Sequence, residues 1–213
     1  MVLSGDLLPA CFVYIGASTH RSGFVHRKSI KENNMRRIVW LFGGIGGGVL
    51  VLMMFLTMPL SGGPIDFDTA EWLGYLSMIV ALSVIFVGIK SYRDKVLGGQ
   101  ISFGKGVQVG LLITLVASAI YVLGWLIYLN TVGGNFMDAY HQHSVEKLQH
   151  SGLSPAEFQE KLAEMEKFRE LYRNPLVQIG VTFLEIFPVG LIITLISAAI
   201  LRKKPAIQTL KKH

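Results

Sequence analysis

The sequence predicts an all-α, polytopic membrane protein with four transmembrane helices and an extracytoplasmic helical hairpin between the third and the fourth. Three observations predict it. Four apolar stretches are each long enough to cross a hydrocarbon core of roughly 30 Å, which takes about 20 helical residues. Of the 213 residues 51% are hydrophobic and only 16% are charged, a deficit against the roughly one quarter of soluble domains. Lysine and arginine collect at alternate ends of the stretches, as the positive-inside rule requires.

These features also exclude classes. The formal net charge of +6 is carried beside hydrophobic segments and not in an aromatic-interleaved patch, so orientation in a membrane explains it and a nucleic-acid partner does not. Cys11 is the one cysteine, so the chain can form neither an intrachain disulfide nor a thiolate metal cluster.

Residues 1–34 pair a short apolar patch, Leu7 to Ala17, with a basic run from Ser18 to Asn34. The basic residues follow the patch and Asp6 precedes it, the wrong flanks for a signal peptide. Met35, directly before Arg36 and Arg37, has the setting of an ordinary start. Residues 1–34 are therefore expected to be a disordered extension or no part of the natural protein, with a membrane domain over 35–205 and a basic cytoplasmic tail over 206–213.

The first span is predicted over about 38–60. Gly43 and Gly47, like Gly44 and Gly48, lie four apart and flatten a helix face for close packing. A turn-rich connection, SGGPIDFD, carries Asp66 and Asp68 and no basic residue. The second span, about 72–89, opens on Trp72 and Tyr75 at interface depth, and Gly74, Ala81 and Gly88 recur every seven residues as a packing seam. Lys90, Arg93, Asp94 and Lys95 read as a basic loop.

In the third span, about 105–130, Gly106, Gly110, Thr114 and Ser118 form a stripe spaced by four, and Tyr121, Trp125 and Tyr128 read as an aromatic belt. The insert, 131–175, is too polar for lipid. Ser154, Pro155 and Glu157 make a capping box with proline at the first helical position. Phe158, Leu162, Met165 and Tyr172 then recur at helical period, and Met137, Tyr140, Val145 and Leu148 do so more weakly. Two helices turning at Ser151 and Gly152, with an apolar face on the bundle or the membrane, are the expectation. Asn174 and Pro175 end the insert. The fourth span is predicted over about 176–201. Basic residues place both termini in the cytoplasm.

One residue has a functional reading by default. Glu185 lies nine residues into the fourth span, roughly 13 Å deep at 1.5 Å per residue, where an ionised carboxylate is expensive unless partners face it. Gln178 and Thr182 extend a polar stripe from the outer end to Glu185, and the stripe stops there. Pro188 cannot donate to the carbonyl of Leu184, which leaves an acceptor beside the acid. An ion or proton pocket open to the outside would use this set. The competing reading is interhelical glue, with Glu185 hydrogen-bonded to Thr114, Ser118 or Tyr121.

His141, His143 and His150 show no metal-ligand spacing and read as solvated loop histidines, and no nucleophile sits in a hydrolase motif. No catalytic residue, metal or cofactor is expected.

The segments ISFGKGVQVGLLITLVASAIYVLGW (Ile101 to Trp125) and FLEIFPVGLIITLISAAILRKK (Phe183 to Lys204), with the late Asn174–Pro175, resemble the bacterial domain of unknown function family 4199. The resemblance runs from about Met35 to Pro205, and its most specific stretch, EIFPVG, holds Glu185, Pro188 and Gly190. It implies a bacterial inner-membrane location and brings no catalytic residues. Two functional readings follow. The first is a non-enzymatic structural, accessory or interaction module in the lipid bilayer, with a protein partner or a second copy of itself. The second is a small proton- or ion-coupled transporter or channel subunit using Glu185.

Overall fold

The computed structural model describes residues 8–58 and 67–203, with side chains from residue 30 onward except at residue 68. Among the described residues seven helices follow one another: α1 (Leu8–Thr57), α2 (Phe67–Leu82), α3 (Val84–Val96), α4 (Phe103–Thr131), α5 (Phe136–Gln149), α6 (Pro155–Leu171) and α7 (Pro175–Leu201). Four segments among the described residues are long and apolar enough to cross a membrane: Ile30–Thr57, Thr69–Val96, Phe103–Thr131 and Pro175–Leu201. The acidic connection at 61–66 and the tail at 206–213 lie outside the described residues.

Two helical boundaries differ from expectation. Helical backbone begins at Leu8, inside residues 1–34, which are expected to be a disordered extension or no part of the natural protein; no proline falls between Ala10 and Met58 to interrupt it. The second span continues to Val96, so Lys90, Arg93, Asp94 and Lys95 belong to its last turns and not to a loop. Basic side chains in a final turn suit the negative end of the helix dipole, which is why a charge run continues a helix here. The same span is interrupted at Ser83, where the Ser83 hydroxyl donates to the Val80 carbonyl at 2.6 Å and the Phe86 amide to the Ser83 carbonyl at 3.0 Å. These three-residue closures tighten the chain locally and divide the span into α2 and α3.

Helix α4 is the central element, packed on α1 and α7. The pairings give the directions. Gly43 faces Val116, Gly47 faces Ile120, and Gly124 faces Val51, so steps of four run the same way and α1 is parallel to α4. Gly106 faces Ala198, Gly110 faces Thr194, and Gly190 faces Thr114, so α7 runs antiparallel to α4. Gly88 against Phe42 and Gly46 against Val84 make α3 antiparallel to α1. The bundle is thus up-down-up-down, with a core of Leu50, Leu82, Ile85, Ile89, Ile113 and Ile186.

Small residues carry the closest approaches, because apolar area alone does not drive helices together in lipid and tight backbone contact does. A Cβ on Gly110 would stand 2.6 Å from Thr194, and one on Gly47 2.7 Å from Ile120. Gly44, Gly48 and Gly74 meet nothing within 4 Å, so the Gly44/Gly48 pair is not a packing face and the seam in span two begins at Ala81.

At the basic end, Gly98 (φ 67°) and Gly99 (φ 87°) take left-handed backbone to turn between α3 and α4. The Lys203 amide there donates to the Ile101 carbonyl at 3.0 Å and closes α7 onto that turn.

The insert folds as a helical hairpin. Asn135 precedes α5, and Gly152 (φ 71°) makes the turn before α6. The capping box forms: the Ser154 hydroxyl accepts from the Glu157 amide at 3.4 Å, and the Ser154 amide donates to Glu157 Oε2 at 3.0 Å. Arg169 donates from two nitrogens to Asp138 Oδ1, at 2.7 and 3.0 Å, and ties α6 to α5. No residue within α5 or α6 is fully buried.

Candidate functional site

The end of α1, the start of α2 and the hairpin meet at one end of the bundle, and a cavity of about 410 Å³ opens among them. Its floor is apolar, with Leu50, Met54 and Met78; its walls carry Tyr75, Tyr121, Trp125 and Tyr172; Phe136, Tyr140 and Phe168 approach from the hairpin. Polar groups come from several elements: Glu71 and Ser77 on α2, His143 and Lys147 on α5, and Thr182 and Glu185 on α7. Gly74, with open space where a side chain would start, lies on the same wall.

The position of Glu185 follows from helical phase. Thr182, Ile186, Gly190, Thr194 and Ala198 are spaced by four and make the buried face of α7 against α4. Glu185 stands one position from Ile186, about 100° around the helix, and so looks sideways into the cavity instead of into the α4 seam. Tyr121 and Tyr172 are its electrostatic neighbours.

This geometry corrects the expected partners. Thr114 is committed elsewhere: its hydroxyl donates to the Gly110 carbonyl at 3.0 Å and meets the Thr194 hydroxyl at 3.2 Å. Ser118 is fully buried with no hydrogen-bond partner on its hydroxyl. Gln178 donates to the Tyr172 carbonyl at 2.9 Å, where it closes the connection between α6 and α7 and does not extend a stripe to Glu185. Pro188 is inside an uninterrupted α7 and faces away from the bundle. Of the residues grouped in sequence, Thr182, Tyr121 and Glu185 line the cavity together.

A separate buried polar line, Thr194 and Ser197, runs toward the basic end on the packing face of α7 and not on the Glu185 face. Below the cavity, Gly190 against Thr114 and Gly110 against Thr194 close the α4–α7 seam.

The aromatic residues of span three turn inward. Trp125 and Tyr128 are 7% and 2% exposed, where a headgroup belt would leave them accessible. They stack at 5.5 Å between ring centres, and Trp125 meets Phe136 edge-on at 4.9 Å. A hairpin folded over that end covers them, a tertiary effect that spacing along one helix does not report. Trp72, at 79% exposed, keeps the expected outward position.

Trp125 Nε1 donates to the Tyr172 hydroxyl at 2.8 Å, and the phenol also engages Thr182. Burial pushes the Tyr172 phenol above its ordinary range, so at neutral pH it is an uncharged acceptor. His141 and His143 are helical, not in a loop, while His150 stands exposed in the turn after α5: His141 Nε2 lies 3.2 Å from Glu166 Oε1 across the hairpin, and His143 packs against the Phe67 ring at 5.2 Å. Among the described residues no group of three potential metal ligands comes together.

The fold and site define a four-span α-helical membrane protein with a mixed aromatic and polar cavity at one end. The chain belongs to the family described as Protein of unknown function (DUF4199), which matches residues 41–203. Neither a curated protein nor a solved structure matches it.

Proposed function

We propose that this chain is a non-enzymatic accessory module of the bacterial inner membrane that works by binding, with the cavity between α2, α4, α7 and the hairpin as its site. The cavity itself carries the proposal. Its volume falls within the roughly 300–1,000 Å³ of small-molecule sites, and it combines apolar walls with a few convergent polar groups, as such sites do. Both termini lie in the cytoplasm and the hairpin outside, because Arg36, Arg37, Lys90, Arg93, Arg202 and Lys203 gather at the end opposite the cavity. The outward surface of the hairpin is the partner-binding face of this module.

A second reading, a proton- or ion-coupled transporter, draws on one observation: Glu185 is reached from the cavity. The packed α4–α7 seam beneath it favours a one-ended pocket over a pathway. Reconstitution separates the two. The binding reading expects proton and alkali-cation fluxes equal to those of protein-free vesicles. A flux that Glu185→Gln abolishes, in protein that still folds, would establish transport instead. For the hairpin, deletion of residues 136–173 is expected to preserve insertion and to remove any co-purifying protein partner.

A further inference from the structure

We propose that the cavity takes a hydrophobic organic cation, with its positive group beside Glu185 and its apolar body between the aromatic walls. This rests on the reading of the cavity as a binding site and adds the chemical class of the ligand.

The charge requirement comes from Glu185. Its carboxylate is deep in a membrane span, and among the described residues none places a hydrogen bond or an ion pair on it; Tyr121 and Tyr172 are its electrostatic neighbours. A carboxylate at that depth is stabilised by a cation, and the cavity is the open direction from which one can arrive. Glu71 on α2 adds a second acid to the same lining. Lys147 and His143 line the hairpin side, and each is already engaged within the protein, so the basic groups there are not idle counter-charges for an anion.

The requirement for an apolar body comes from the walls. Aromatic rings present a negative face that attracts cations, more strongly once water is displaced. Tyr75, Tyr121, Trp125 and Tyr172 line the same cavity as Glu185, Tyr121 and Tyr172 being its electrostatic neighbours, and Leu50, Met54 and Met78 leave an apolar floor. Methionine side chains adapt to ligands of varied outline. An alkali cation would leave that surface unused, and a neutral acyl chain would leave Glu185 unpaired.

The test uses two ions of nearly the same shape and opposite charge, tetraphenylphosphonium and tetraphenylborate, in equilibrium dialysis against the purified full-length protein. The expected result is saturable binding of tetraphenylphosphonium, with saturable binding of tetraphenylborate at least about tenfold weaker, and loss of about tenfold or more in affinity for the cation in Glu185→Gln. Gly74→Leu, which grows into open space on the cavity wall, should block the site without straining the bundle. Equal binding of the two ions by the native protein overturns the inference, as does an unchanged affinity in folded Glu185→Gln. If Gly74→Leu removes binding while Glu185→Gln leaves it intact, the cavity is a binding site and the choice of a cation is wrong. If Gly74→Leu also has no effect, the cavity reading itself fails. Should Glu185→Gln not fold, the comparison of the two ions on the native protein still decides the matter.

Discussion

The indole of Trp125 donates to the hydroxyl of Tyr172 across 2.8 Å, and both residues are buried, at 7% and 6% exposed. Trp125 belongs to the third span and Tyr172 caps the second hairpin helix. This bond therefore pins the hairpin to the bundle at the wall of the cavity. It joins the third span to the end of the hairpin.

Tyr172→Phe leaves the indole N–H buried without its acceptor, which should cost about 1–3 kcal/mol. Trp125→Phe removes the donor and part of the aromatic packing, and is expected to destabilise further. Thermal unfolding of the single and double variants in detergent gives a cycle. A coupling above about 0.5 kcal/mol is expected for residues in direct contact.

Glycine positions provide a contrast. Gly110→Val drives a branched side chain into Thr194, where even a Cβ would stand at 2.6 Å, and overpacking of this kind typically costs about 1–3 kcal/mol. Gly190→Val meets Thr114 in the same way. Gly44→Ala and Gly48→Ala enter open space and should leave the melting temperature unchanged or slightly raised. Equal effects at all four positions would contradict the assigned seams.

The hairpin has an acid-sensitive start. The Ser154 hydroxyl and amide hold the Glu157 carboxyl below its ordinary value of 4.5. A group whose folded value is depressed contributes stability above its unfolded value and loses it as pH falls through the folded one. The first turn of α6 should therefore be fully protected above pH 4.5 and loosen below it. Hydrogen exchange at Ala156 to Phe158 reads this, and Ser154→Ala should remove the pH dependence.

Much of this architecture was legible in sequence, for physical reasons that differ by element. Four spans could be read because backbone groups in lipid must pair within a helix, so length and apolarity suffice. The capping box at Ser154 and the turn at Gly152 could be read because both are local chemistry. The break at Ser83 could not, since serine within an apolar helix usually bonds backward without dividing it. Trp125 and Tyr128 were expected at the headgroups because the covering hairpin is a tertiary fact. Thr194 was overlooked because its partner, Thr114, lies 80 residues away. Glu185 stands out in the sequence with two readings, a pocket and the α4 seam, and its phase relative to Ile186 sends it to the cavity and not to the seam.

The central claim, a cavity at the hairpin end that opens outward, is tested most directly by thiol accessibility. Ser77 lies on the cavity wall, so Ser77→Cys in a Cys11→Ser background should react with a membrane-impermeant maleimide added outside spheroplasts. Adding Gly74→Leu should suppress that reaction by filling the space beside it. Labelling from the cytoplasmic side alone, or labelling unaffected by Gly74→Leu, would contradict the account.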